Sequence, residues 1–192
     1  MVGPGPHIKD VCDRFAAEGF AALAPDLYDG ETTTEPDEAG KLMMALNIEH
    51  AAKELSGAVT KLQDVTGKTQ VGVTGFCMGG GLALVFATQR PDVVGAVVPW
   101  YGLIPWPEAQ PDWSALQAPV LGHYAERDGF FGPDKVAALQ ETLDGLAKPA
   151  ELKVHPGVEH AFFNDTRPEV HDPATADAAF AETVAFLKAN LS

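Results

Sequence analysis

Cys77, Asp128 and His160 have the types and the chain order for covalent catalysis. A thiol attacks a carbonyl carbon as its thiolate, so it needs a base nearby. An imidazole serves as that base when a carboxylate fixes its ring. Cys77 lies in Gly75-Phe76-Cys77-Met78-Gly79-Gly80, between an apolar run and an Ala/Leu-rich run. Two phosphate-binding readings of these glycines fail. A dinucleotide loop needs G-x-G-x-x-G, and Cys77 occupies the middle glycine position; an ATPase loop needs Lys then Ser or Thr, and Leu82 follows Gly81. Two readings remain open at this point. One is a buried cysteine in a tight strand–helix turn. The other is a sharp elbow that presents a nucleophile, the G-x-S-x-G pattern with cysteine for serine.

The elbow reading makes specific demands. The apex residue must be strained, and Gly75 and Gly79 must be small because strand and helix backbones crowd there. The helix N-terminus favours a thiolate at Cys77, and the backbone N–H of Met78 points where an oxyanion would form. Elbow enzymes order their residues nucleophile, acid, histidine. Asp128 follows the expected strand Pro119–Tyr124, and His160 follows the expected strand Glu151–His155, so the order holds. Glu126 is a weaker alternative to Asp128, being earlier in its turn. His123 and His155 fall inside strands, as core or edge residues. His7, His50 and His171 lie on helices or loops away from strand ends. There is no H-x-x-x-H or C-x-x-C spacing, so a metal site is not expected.

The elements that must position these residues alternate. Helices are expected over His7–Glu18, mostly over Glu38–Val65 in two pieces, and over Met78–Thr88, Asp134–Leu146 and Ala174–Asn190. Strands are expected over Phe20–Ala24, Gln70–Thr74, Val93–Val98, Pro119–Tyr124 and Glu151–His155. Continuously apolar strands between helices imply an α/β protein with a mostly parallel sheet covered on both faces. Cys12 falls on the apolar stripe of the first helix.

The 192 residues suit one domain, 46% of them apolar. Lys and Arg number 13 against 27 Asp and Glu, a net charge of −14 that argues against nucleic-acid or membrane partners. Two cysteines make no disulfide framework, so a reducing cytoplasm is the expected setting.

Four stretches resemble the dienelactone hydrolase family, which has the α/β-hydrolase fold. "PHIKDVCDRFAAEGFAALAPDLYDG" is similar to its first helix and strand, and "VGVTGFCMGGGLAL" to its cysteine elbow. "HYAERDGFFGPDKV" is similar to its acid turn, and "VHPGVEHAFFNDTRP" to its histidine loop. The resemblance spans nearly the whole chain. It implies Cys77 as nucleophile, His160 as base, Asp128 as its partner, and hydrolysis of a small ester or lactone without cofactor. The family's upstream strand, with a glutamate that contacts the cysteine, has no counterpart before Met1. A single but N-terminally short domain over 1–192 is therefore expected, with strand edges open to self-association. The arginines thought to hold the dienelactone carboxylate are also missing, since those regions read "YDGETTT" and "HAFFND". Arg127 and Arg167 are the cations nearest the expected mouth. Tyr28, Trp100, Tyr101, Phe162 and Phe163 would wall a pocket for an apolar ester, or else pack as core at strand ends. The alternative to an enzyme is a catalytically impaired relative that acts as a binding module.

Overall fold

A computed structural model describes residues 5–31, 33, 36–104 and 110–191. The chain forms two compact units, Met1–Thr69 and Gln70–Ser192.

The first unit carries three helices, α1 (Pro6–Ala17), α2 (Pro36–Met44) and α3 (Ile48–Thr66). Proline opens α1, where its missing N–H costs no hydrogen bond, and Val11 and Phe15 form its buried stripe. Cys12 is half-buried beside them. Gly19 ends the helix at φ +91°, the stop expected of it. Asn47 caps α3 by accepting from the His50 N–H, and Gly67 closes it in the left-handed region. Residues 20–24 form no strand, contrary to the sequence reading. An apolar run becomes a strand only where another strand takes its N–H and C=O groups. Residues 21–23 are instead exposed, and Phe20 turns back to meet Phe15 edge-on at 6.0 Å.

The second unit is a parallel four-stranded sheet in the order β1 (Val71–Phe76), β2 (Val94–Trp100), β3 (Val120–Arg127), β4 (Ala150–Glu159). Helices α4 (Met78–Gln89), α5 (Pro133–Gly145) and α6 (Pro173–Asn190) follow β1, β3 and β4. Side-chain alternation assigns the faces. A Cβ on Gly72 would meet Leu187 and Leu191 at the end of α6, whereas one on Gly75 would meet Gly79 of α4. The two helices therefore cover opposite faces. The core lies between them, with Leu84, Ala87, Val97, Val98, Tyr124 and Phe162 among its buried residues. Helix α5 packs against β3 and β4, and Gln140 bonds both the Ala150 carbonyl and the Leu152 N–H.

β4 runs four residues beyond its expected end. Pro156-Gly157 reads as a loop, yet the ladder resumes at Arg127 and Glu159 after a bulge. Gly157 takes φ +73° and donates its N–H to Glu126 Oε2 at 2.7 Å. The extension carries the chain directly to His160. No helix among the described residues is long and apolar enough to cross a membrane.

Candidate active site

Strand β1 must turn into α4 within one residue, and Cys77 is that residue. Its backbone sits at φ +54°, ψ −121°, a region costing about 1–3 kcal/mol for a residue with a side chain. The neighbouring strand holds it there. The Cys77 N–H donates to the Trp100 carbonyl at 2.9 Å, and the Cys77 carbonyl accepts from Gly80 N–H at 2.9 Å. A Cβ at Gly102 would lie 1.8 Å from the Cys77 oxygen, so the chain just past β2 can approach only as glycine.

The crowding expected around the elbow falls unevenly. A Cβ at Gly75 would lie 2.1 Å from the Gly79 carbonyl oxygen, which the backbone cannot accommodate. A Cβ at Gly79 would meet nothing within 4 Å. The expectation that both must be small therefore holds for Gly75 and fails for Gly79, whose backbone does the crowding. Met78 opens α4 directly after Cys77, which puts its N–H in the first helical turn.

Asp128 follows the end of β3 and its carboxylate is fully buried. Oδ1 accepts the N–H groups of Phe130 at 2.7 Å and Phe131 at 3.0 Å. Oδ2 accepts from Nδ1 of His160 at 2.7 Å. Burial alone would raise its pKa, but the bonds from His160 and the two amides hold it below the ordinary carboxylate value. The His160 imidazole is squeezed the other way. Burial opposes its charge, yet hydrogen bonds and charge from Asp128 and Cys77 push it up to about 9. Both the carboxylate and the Cys77 side chain thus act on the ring. With Nδ1 committed to Asp128, Nε2 is the nitrogen left for the thiol. Glu126 is occupied with Gly157 and is no partner of the ring.

Of the aromatic residues expected to wall a pocket, three do not. Trp100 and Phe162 are 0% exposed and Phe163 is 1% exposed, which leaves a substrate nothing to touch. They pack as core: Phe163 stacks on Phe76 at 5.4 Å and lies 4.6 Å from Trp100. Tyr101 is also buried but borders the site, its ring edge-on to His160 at 5.1 Å. Burial first, and then the Cys77 charge, push its phenol pKa upward. Tyr28 belongs to the first unit, in a turn where Asp26 accepts its N–H. Arg167 is held by Glu169 at 3.0 Å. The residues at 105–109 lie outside the described residues.

One residue at the site was not singled out from sequence. Phe130 is exposed, and its ring lies 5.3 Å from that of His160. The signal was available: "DGFFGP" puts two phenylalanines in a glycine-bounded turn, where apolar residues are unusual. Among the described residues no cluster of His, Cys, Asp or Glu could hold a metal ion.

The model of the dienelactone hydrolase family matches residues 1–191. The chain belongs to the dienelactone hydrolase family. It is thereby a hydrolase of the ester and lactone type, with the α/β-hydrolase fold. Two curated relatives align along the entire chain. "Protein usf" of Aquifex pyrophilus is 39% identical, with 84% of its own length covered. A protein of Aquifex aeolicus named "Putative carboxymethylenebutenolidase" is 37% identical, with 84% covered. Among solved structures, the "Putative Dienelactone Hydrolase" of Klebsiella pneumoniae superposes with a TM-score of 0.87 at 28% identity, over 97% of this chain and 82% of that one.

Proposed function

We propose that this dienelactone hydrolase-family chain is a cysteine-dependent hydrolase of small neutral esters or lactones, working through an acyl-enzyme. The observation that carries the reading is the His160 ring, held by Asp128 at 2.7 Å through Nδ1, with a pKa pushed up to about 9 to which the Cys77 side chain contributes. An imidazole of raised pKa beside a thiol favours a thiolate–imidazolium pair.

The Cys77 thiolate adds to the carbonyl carbon, and the electrons of the C=O bond move onto oxygen. The Met78 N–H, at the positive end of α4, receives that oxyanion. Collapse breaks the C–O bond, and His160 hands its proton to the departing alcohol oxygen. A thioester on Cys77 remains. Neutral His160 then takes a proton from water, the hydroxide adds to the thioester, and the carboxylic acid leaves as Cys77 returns to thiolate. Asp128 keeps Nδ1 protonated and the ring aimed throughout.

Neutral substrates fit best, because Arg167 is engaged by Glu169 and the protein carries a charge of −14. Two free cysteines suit a reducing, cytoplasmic setting. Turnover of short p-nitrophenyl esters tests the reading. The parent protein should hydrolyse them and Cys77→Ala should not; equal rates would overturn it.

A further inference from the structure

Phe130 stands out among the aromatic residues around the site. Trp100, Tyr101 and Phe162 are 0–2% exposed, while Phe130 keeps 69% of its surface exposed. A single exposed phenylalanine needs no explanation by itself. The placement of this one does. Its N–H is held by Asp128 Oδ1 at 2.7 Å, and its carbonyl accepts from Lys135 Nζ at 2.7 Å. Both ends of the peptide are therefore pinned, one of them to the carboxylate that orients His160. The backbone that carries the ring is fixed next to Asp128. It stands edge-on to the imidazole, 5.3 Å between centroids and 67° between planes. Phe131, the next residue, is half-buried with Lys135 near its face and its ring farther from the imidazole, at 6.4 Å.

We infer that Phe130 is a specificity-determining residue that contacts the alcohol portion of the ester and favours apolar alcohols. The inference rests on the cysteine-hydrolase reading, in which His160 protonates the leaving oxygen. Proton transfer requires that oxygen to come within about 3 Å of the imidazole nitrogen. A substituent on it then extends from the imidazole, within van der Waals reach of a ring this close. The acyl substituent is bound to the carbon on Cys77 and is directed by that bond rather than by the oxygen that His160 protonates. Phe130 should therefore read the alcohol and ignore the acyl chain.

The test compares two substrate series by kcat/KM. In the first, the acyl group is acetyl and the alcohol is ethyl or 2-cyclohexylethyl, which differ little in leaving-group basicity. In the second, the alcohol is p-nitrophenol and the acyl group is acetyl or butyryl. Phe130→Ala should lower the 2-cyclohexylethyl-to-ethyl ratio by about 10-fold, the scale of an apolar contact at a pocket lip. The butyryl-to-acetyl ratio should stay unchanged. Phe130→Leu, which keeps an apolar side chain, should retain most of the alcohol preference. An unchanged alcohol ratio in Phe130→Ala overturns the inference. So does an equal fall in every rate, which would mean that Phe130 merely positions Asp128 and His160. Cys77→Ala is assayed alongside. If it retains activity, the parent reading falls and this inference with it; if it is inactive while the alcohol ratio is unmoved, only the role of Phe130 falls.

Discussion

The Asp128 carboxylate takes three N–H groups at once, from His160 at 2.7 Å, Phe130 at 2.7 Å and Phe131 at 3.0 Å. The Asp128–His160 pair is thus fixed from the acid side. The two backbone amides would still hold the side chain if the imidazole were lost. His160→Ala should fold and lose ester turnover. Asp128→Asn should keep a residue of it, down by about 10⁴, the scale seen when the orienting acid of such a triad is neutralised. Circular dichroism with ester kinetics on both variants checks this. Turnover at the parent rate in either would contradict the assignment.

The elbow makes a sharper structural prediction. A methyl at position 75 would collide with the Gly79 backbone, while one at 79 would touch nothing within 4 Å. Gly75→Ala should destabilise by about 1–3 kcal/mol or fail to fold, as overpacked sites do. Gly79→Ala should fold normally, since alanine is a better helix former than glycine. Urea denaturation of the two variants distinguishes them. Equal loss at both sites would mean that the elbow is crowded symmetrically after all.

Acid should destabilise the sheet through a pair of histidines unrelated to catalysis. His123 is wholly buried, with Nδ1 3.0 Å from His155 Nε2 and Nε2 3.0 Å from the Thr183 hydroxyl. One of the two imidazoles must accept, so the pair resists full protonation. Burial first, then His155 and Lys153, bring the His123 pKa down to about 3. Burial also lowers His155, against the pull of Glu182. Unfolded histidines bind protons near pH 6.5, so below that pH the unfolded chain binds more protons than the folded one. Stability contributed by His123 is therefore present above about 6.5 and lost as pH falls toward about 3. His160 has the opposite sign: its contribution is full below about 6.5 and fades as pH rises through about 9. Tm measured from pH 8 to pH 4 should fall for the parent and fall less steeply for His123→Asn. Parallel curves would show that His123 titrates normally in the fold.

Charge sets a preference among lactones. An anionic lactone brings its carboxylate to a site where Arg167 already faces Glu169 and Arg127 lies exposed at the end of β3. A buried carboxylate without a partner costs a few kcal/mol. The kcat/KM for a carboxylate-bearing dienelactone should therefore be lower than for a neutral lactone of similar size. A preference for the anion would mean that Arg127, or an Arg167 that gives up Glu169, holds the substrate.

Much of the second unit was legible from sequence because its signals are local. The runs at 70–74, 93–98 and 119–124 are rich in apolar residues, 151–155 alternates polar with apolar residues, and each became a strand of the sheet. The helix that follows Cys77 begins at Met78 as expected. The family resemblance was legible for the same reason, since the elbow, acid turn and histidine loop are contiguous stretches. Nonlocal facts were not. "FAALA" has a strand's composition, but a strand exists only with a partner, and no composition supplies one. Pro156-Gly157 reads as a break, yet Glu126, 31 residues earlier, holds Gly157 in a bulge that the ladder spans. Trp100, Phe162 and Phe163 could be wall or core by type alone, and burial on both sides decides for core. Gly79 shows the limit of a motif: the spacing is right, but the crowding lies at Gly75 and the strain at Cys77.

The most direct test of the account is alkylation of the native protein by iodoacetamide, followed in parallel by peptide mass mapping and ester hydrolysis. Cys77 lies beside a histidine of raised pKa at a helix N-terminus, whereas burial first, and then Asp13, push the Cys12 thiol upward. The account predicts that Cys77 is modified first and that activity falls in step with its modification. Hydrolysis that persists after Cys77 is fully alkylated would contradict it.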